Sequence, residues 1–369
     1  MTRFGYFLAC EEHGPRELVR QARLAEEAGF SALWISDHFH PWLDEQGHSP
    51  FVWSVIGALS EATDLPVTTA VTCPIMRLHP VVTAQAAATA ACQLRGGFTL
   101  GVGTGEALNE HVVAQRWPPA AERREMLAEA VELMRRLWQG RLTTHRGRHY
   151  QVDTARLYTL PDQPPPVFVS AFGPYAARLA GRIGDGLITM GVSLPLIEEF
   201  REHGGAAKPI QAGVKVSWAP DRKQAVEHAR RRWPNDFLPG QASQLLPLPQ
   251  HFAALAELVT AEQVAAQLPC GSDPDEYLTL LSEYVEAGID EVYIGNVGPD
   301  PDGFFEFFAT QLKPVLSSSL SEGSRVFRTF FRERGSTTPS FRIVPITPVL
   351  RRSVTVISPR FRSAHWGSG

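Results

Sequence analysis

Lysine and cysteine are both scarce in this chain. Only Lys208, Lys215, Lys223 and Lys313 occur in 369 residues, which leaves few ammonium groups with which to grip an anion. The four cysteines, Cys10, Cys73, Cys92 and Cys270, are widely scattered, without a Cys-x-x-Cys pair or metal-ligand spacing to histidine. That pattern points to free thiols in a reducing compartment rather than to disulfides. No run approaches 18 consecutive apolar residues, and the N-terminus has only Phe4 to Cys10 before Glu11-Glu12, so neither a membrane span nor a secretory signal is expected. A cytoplasmic protein follows as the expectation. The net charge of −4 conceals an asymmetry: residues 319–369 hold nine of the 35 basic and two of the 39 acidic residues, so the body stands at −11 and the tail at +7. An acidic body carries no electrostatic footprint for nucleic acid.

What is present is alternation. With 44% hydrophobic residues the chain can bury one large core. Short apolar runs at Phe4–Ala9, Ala32–Ile35, Leu65–Val71, Gly97–Gly101, Val167–Ser170, Gly186–Thr189, Ile210–Ser217 and Glu291–Gly295 read as strands. Between them lie helical patterns, clearest over Ala121–Trp138, where Leu127, Val131, Met134 and Trp138 form one stripe. A hairpin-like segment is expected over Arg141–Val152, and an irregular insertion with short helices over Pro234–Val259. About eight strand and helix units in one domain specify an α/β fold closed as a (β/α)8 TIM barrel over residues 1–318. Residues 319–369, rich in Arg and Ser, lack this pattern and are expected to be a disordered or non-native extension without a role in the chemistry.

Two stretches carry candidate chemistry. Ser36-Asp37-His38-Phe39-His40-Pro41-Trp42 leaves the end of the second strand, where barrel enzymes place catalytic groups, and sets an acid, an imidazole and an indole beside one pocket. Taken alone, His38 also fits a hydrogen-bonded structural histidine. Gly101-Val102-Gly103-Thr104-Gly105-Glu106 resembles a dinucleotide loop, but Glu106 occupies the position of the third glycine and would repel a phosphate. The glycines suit a flat ring approached by backbone, with Glu106 and Asn109 projecting toward it; the alternative is a tight turn with no ligand. His40 and His48 lack carboxylate partners at ligand spacing, so no metal is expected.

These two motifs, extended through Ala107-Leu108-Asn109-Glu110, resemble the luciferase-like flavin and deazaflavin superfamily, and within it the coenzyme F420-dependent glucose-6-phosphate dehydrogenase group. The similarity covers most of residues 3–316 and includes Ser170-Ala171-Phe172-Gly173-Pro174, Gly181-Arg182-Ile183-Gly184-Asp185-Gly186 and Ser272-Asp273-Pro274-Asp275-Glu276. It implies hydride transfer between a substrate carbon and C5 of the deazaflavin, in a homodimer. By resemblance His38 is the base for the hydroxyl proton, Glu106 the acid for the ring nitrogen, and Trp42 a substrate wall. Asp37, Asn109 and Gly105 would bind the cofactor, as would a non-proline cis peptide at Ala70-Val71 and the run Ala171, Phe172 and Gly173.

One departure bears on substrate. The group grips a sugar phosphate with two lysines and an arginine, and the matching positions here read Val192, Ser243 and Gln267. A phosphate without paired cations is costly to desolvate. A neutral alcohol, an unphosphorylated sugar or a hydroxylated lipid-like molecule is therefore expected, with Val192 and Gln267 facing it. Two other readings are an FMN-dependent monooxygenase of the same superfamily and a catalytically silent flavin-binding barrel. The second would not need a base and an acid on opposite sides of a ring.

Overall fold

Strands that are apolar throughout must be covered on both faces, and this chain covers them by closing its sheet on itself inside a ring of helices. The structure is a computed structural model that describes residues 2–321. In chain order the elements are β1 (Arg3–Leu8), α1 (Pro15–Ala28), β2 (Leu33–Ile35), α2 (Val52–Leu59), β3 (Val67–Thr69), α3 (Pro80–Gln93), β4 (Phe98–Val102), α4 (Ala107–Glu110) and α5 (Ala120–Leu137). The hairpin β5 (Thr143–Arg146) and β6 (Gln151–Ala155) follows, then β7 (Val167–Ser170), α6 (Pro174–Ile183), β8 (Gly186–Met190), α7 (Leu194–Phe200), β9 (Ile210–Val216) and α8 (Arg222–Arg232). The chain continues through α9 (Ala242–Leu245), α10 (Pro249–Ala256), α11 (Ala261–Gln267), α12 (Pro274–Glu286), β10 (Glu291–Asn296), α13 (Pro301–Phe307) and α14 (Lys313–Ser321).

All strands but the hairpin pair form one closed parallel barrel, in which β4 skips to β7 and β10 closes onto β1. The expected (β/α)8 architecture is the one observed. The third strand is shorter than expected, ending at Thr69 before a cis peptide between Ala70 and Val71. The short helices α4 and α11 were not anticipated, because four and seven residues are too few to show a helical period. The Arg- and Ser-rich tail lies outside the described residues from 322 onward.

Helix packing follows the apolar stripes. Leu18, Ala22, Ala25 and Ala28 of α1 are buried, and the helix stops at Gly29, whose φ of +90° lets its N–H bond back to Ala25 and Glu26. Leu127, Val131 and Met134 of α5 are buried, each contributing about 1.5–3 kcal/mol of apolar transfer. Just past that helix, Trp138 donates its indole N–H to the Ala84 carbonyl of α3 at 2.9 Å and locks the two helices together.

A layer of aromatic and aliphatic side chains crosses the barrel interior. Trp34 and Tyr293 stack at 4.4 Å within a layer that includes Phe168 and Ile188. Beneath them Trp34 donates to Gln211, Gln211 donates to Glu291, and Arg3 pairs with Glu291. The ends of the strands above this layer form the open mouth. A second apolar cluster roofs one side of it, built from Trp42, Leu108, Trp233, Phe252, Val264 and Val297. The insertion between α8 and α12 supplies Phe252 and Val264 to this cluster.

Candidate active site

The residue that organises the mouth is His38, just past the end of β2 and only 11% exposed in its side chain. Its Nδ1 lies 3.2 Å from the His40 carbonyl oxygen. A carbonyl only accepts, so Nδ1 carries the proton in that bond, which leaves Nε2 as the nitrogen that can take up a proton when the ring is neutral. Nε2 stands 3.4 Å from Glu11 Oε1 and 3.6 Å from Glu106 Oε2. Both separations exceed a normal hydrogen bond, so this nitrogen sits between two carboxylates without being committed to either. Trp42 walls the imidazole with ring centroids 5.1 Å apart and is itself held edge-on against Phe252.

The two carboxylates are set differently. Glu11 follows β1, is 4% exposed, and accepts the Ser36 hydroxyl at 2.7 Å, while Ser36 Oγ accepts the Cys10 N–H. Glu106 is the N-cap residue of α4 and 29% exposed. Burial pushes its carboxyl above the ordinary value, and the charge of Glu11 pushes the same way, against pulls from His38, Asn109 and Lys215. Asn109 joins the two motifs: its carbonyl accepts the Phe39 and His40 N–H groups at 2.8 and 3.2 Å, and its amide donates to Glu106 at 3.2 Å. Asn109 thereby draws α4 against the β2 loop and places Glu106 beside His38.

Asp37 is buried, and its carboxylate is already engaged by Thr72 Oγ1 at 2.7 Å and Arg77 at 2.8 Å. Arg77 also faces Glu110, whose carboxyl is raised to about 7 by burial. Asp37 therefore braces the loop from beneath. Ala70 and Val71 lie against the aromatic layer and form a flat apolar floor. Beside that floor a Cβ on Gly103 would come within 2.7 Å of Val71, and one on Gly105, at φ +74°, within 2.5 Å of Cys73 Sγ. Only glycine fits at either place.

Ala171 is buried, Phe172 is half exposed, and Gly173 caps the N-terminus of α6 with open space on its Cβ side. That helix start can receive an anionic group. The cradle thus suits a flat ring with an anionic tail. Val192 sits in the β8–α7 loop packed on the main core, and Gln267 is exposed on α11. No hydrogen bond or ion pair joins either to His38 or Glu106.

Sequence reasoning missed Glu11 and Arg77 as parts of this site and gave Ser36 no role of its own. The Glu11-Glu12 pair directly after the first strand was the available signal. Lys215, on β9, was missed as a mouth residue too. Gln211 and Gly213 approach Trp34 inside the barrel, so alternation turns Lys215 inward as well. Its ammonium pairs with Asp236 at 2.7 Å and lies 3.8 Å over the Trp233 ring. A cavity of about 590 Å³ opens at the opposite end of the barrel, among Arg3, Asp185, Asp290 and Glu291. It does not compete as the site: Glu291 is paired with Arg3 and Asp185 with Arg135, and barrel enzymes work at the other face.

Residues 2–291 match the family model described as luciferase-like monooxygenase. The chain is 35% identical over 327 residues to an F420-dependent glucose-6-phosphate dehydrogenase of Microbacterium testaceum, a match covering 85% of this chain and 97% of that protein. It is 38% identical over 333 residues to F420-dependent glucose-6-phosphate dehydrogenase 1 of Rhodococcus jostii, covering 86% and 98%. Among solved structures, an F420-dependent secondary alcohol dehydrogenase in complex with an F420–acetone adduct is similar at TM-score 0.78 and 33% identity, over 84% of this chain and 97% of that one.

Proposed function

We propose, from the premise that this chain belongs to the luciferase-like monooxygenase family, that it is a coenzyme F420-dependent oxidoreductase acting on the CH–OH group of an alcohol or sugar. The observation that carries the reading is the position of His38, with Nδ1 against the His40 carbonyl and Nε2 between Glu11 and Glu106. When bound, F420 supplies a deazaflavin ring whose C5 accepts or returns a hydride. Ala70, Val71, Gly103 and Gly105 would hold that ring, and Ala171 to Gly173 its anionic tail.

His38 Nε2 takes the hydroxyl proton of the substrate as the hydride leaves carbon. Glu11 stabilises the imidazolium so formed. Glu106, kept protonated more readily by burial, holds the proton destined for the ring nitrogen. Trp42 closes the substrate side and, with Phe252, excludes water. Asn109 acts through Glu106 and the β2 loop as a positioning residue.

The substrate is a neutral alcohol or unphosphorylated sugar. Val192, Ser243 and Gln267 bring no charge, and Lys215 is neutralised by Asp236. The barrel domain, residues 1–318, carries this chemistry without the tail. We further infer a homodimer in a reducing, cytoplasmic setting, a reading in keeping with four unpaired cysteines of which three are buried.

Fluorescence titration of the purified protein with F420 and, separately, FMN tests the cofactor. Binding of F420 with none of FMN is the expected result, and the reverse would move the chain to oxygen chemistry. In a His38→Ala variant F420 affinity should persist while turnover of the best alcohol falls by about 10²-fold or more. Unchanged turnover would remove His38 from the mechanism.

A further inference from the structure

Beside the barrel mouth, in the connection from α4 to α5, a cavity of about 260 Å³ is lined by Arg116, Trp117, Arg123, Gln241, Gln244 and the prolines 118 and 119. None of these residues belongs to the site around His38. Arg123 is 2% exposed, and its guanidinium lies 4.2 Å from the Trp117 ring centroid. One of its amino groups donates to the Pro118 carbonyl at 2.8 Å, but its Nε is buried without an acceptor. Trp117 Nε1 is likewise buried without an acceptor. Among the described residues no carboxylate lies within ion-pair distance of Arg123; the nearby Glu122 is taken by Arg116.

This is an unusual balance. A guanidinium keeps its charge at every physiological pH, and buried charges in proteins are ordinarily paired. Here a permanent cation has only the Pro118 carbonyl and the Trp117 ring face as partners, with no carboxylate to balance it, and Gln241 and Gln244 line the same cavity. Water in the cavity would leave the charge uncompensated, whereas an oxyanion there would balance the arginine and accept from the cavity's remaining donors.

We propose that the Arg116–Trp117–Arg123 cavity, closed by Gln241 and Gln244 of the α9 segment, is a binding site for a small oxyanion, a carboxylate or a phosphate. The site stands independently of which cofactor the barrel uses. Occupancy ties the start of α5 to α9, and α9 in turn packs on α4.

Titration of the full-length protein with inorganic phosphate and with acetate, at constant ionic strength set by sodium chloride, tests this. A saturable change in tryptophan fluorescence and a rise in Tm are expected with at least one of the two anions. Acetate alone would identify a carboxylate site and phosphate alone a phosphate site. Arg123→Met should abolish the response, and Trp117→Phe, which keeps the ring but removes the donor, should weaken binding by about tenfold as read by Tm. The second variant keeps the test open if the first does not fold. A response to neither anion beyond the chloride control overturns the proposal, as does one that survives unchanged in Arg123→Met or, should that variant not fold, in Trp117→Phe.

Discussion

Glu11 and Glu106 differ in exposure and in the company they keep, and the difference separates their roles. Glu106 has its carboxyl raised first by burial and then by the charge on Glu11. A group that must give up a proton is active below its pKa, so alcohol oxidation should decline as pH rises through the raised value. Removing the Glu11 charge with Glu11→Gln takes away one of the upward pushes, and this falling limb should move to lower pH. Glu106→Gln, with no proton to give, should be slow at every pH and should lack the limb. A pH profile of kcat/KM for the three proteins reads this directly, and a limb that stays in place in Glu11→Gln would uncouple the two carboxylates. His38 could be named from the sequence because its loop leaves a recognisable strand. Glu11 could not, because its nearness to His38 depends on β1 and β2 lying side by side in register, Leu8 beside Ile35.

Two elements define the site, the β2 loop and helix α4, and Asn109 is the rivet between them. Asn109→Ala would leave the Phe39 and His40 N–H groups without their acceptor in a part-buried place, at a cost of about 2 kcal/mol. Urea unfolding should show that loss, and hydrogen exchange at residues 39 and 40 should speed up. Turnover should fall more than F420 affinity, because the geometry of Glu106 is disturbed while the ring floor at Ala70 and Val71 is untouched. Equal losses in both would make Asn109 a direct cofactor ligand instead. Long elements such as α1 and α5 were legible because their apolar stripes repeat over several turns. The site helix α4 was not, since Ala107-Leu108-Asn109-Glu110 is a single turn with every residue buried, and a single turn has no period to detect.

For the molecule as a whole, substrate charge is decided by where few cations end up. Four lysines serve 369 residues, and the one turned into the barrel is held by Asp236 from the segment after α8. Asp236→Asn should release Lys215 into the mouth. Phosphorylated sugars should then gain about tenfold or more in kcat/KM relative to their unphosphorylated forms, the worth of one charge-assisted hydrogen bond. No change in that ratio would mean that Lys215 does not reach the substrate. Elsewhere charge is used for cohesion. Glu12 is brought down to about 2 because bonds from His228 and Trp233 and the charges of His13 and Arg232 outweigh the upward effect of its burial. That contribution is complete above the ordinary carboxylate range and is lost only as pH falls toward 2.

By itself the sequence determined the alternation of strands and helices, hence the parallel barrel, and the loops from which His38, Trp42 and Glu106 project. These follow from local rules: apolar runs of strand length, stripes at helical spacing, and glycines where the backbone must turn or be approached closely. Only the tertiary structure decided which side chains meet. The Glu11–His38–Glu106 corner, the capture of Asp37 by Thr72 and Arg77, the silencing of Lys215 by Asp236 and the unpaired Arg123 each join residues from separate segments. Closure of the barrel and packing of helices around it bring those segments together, and no pattern along the chain encodes a distance across it.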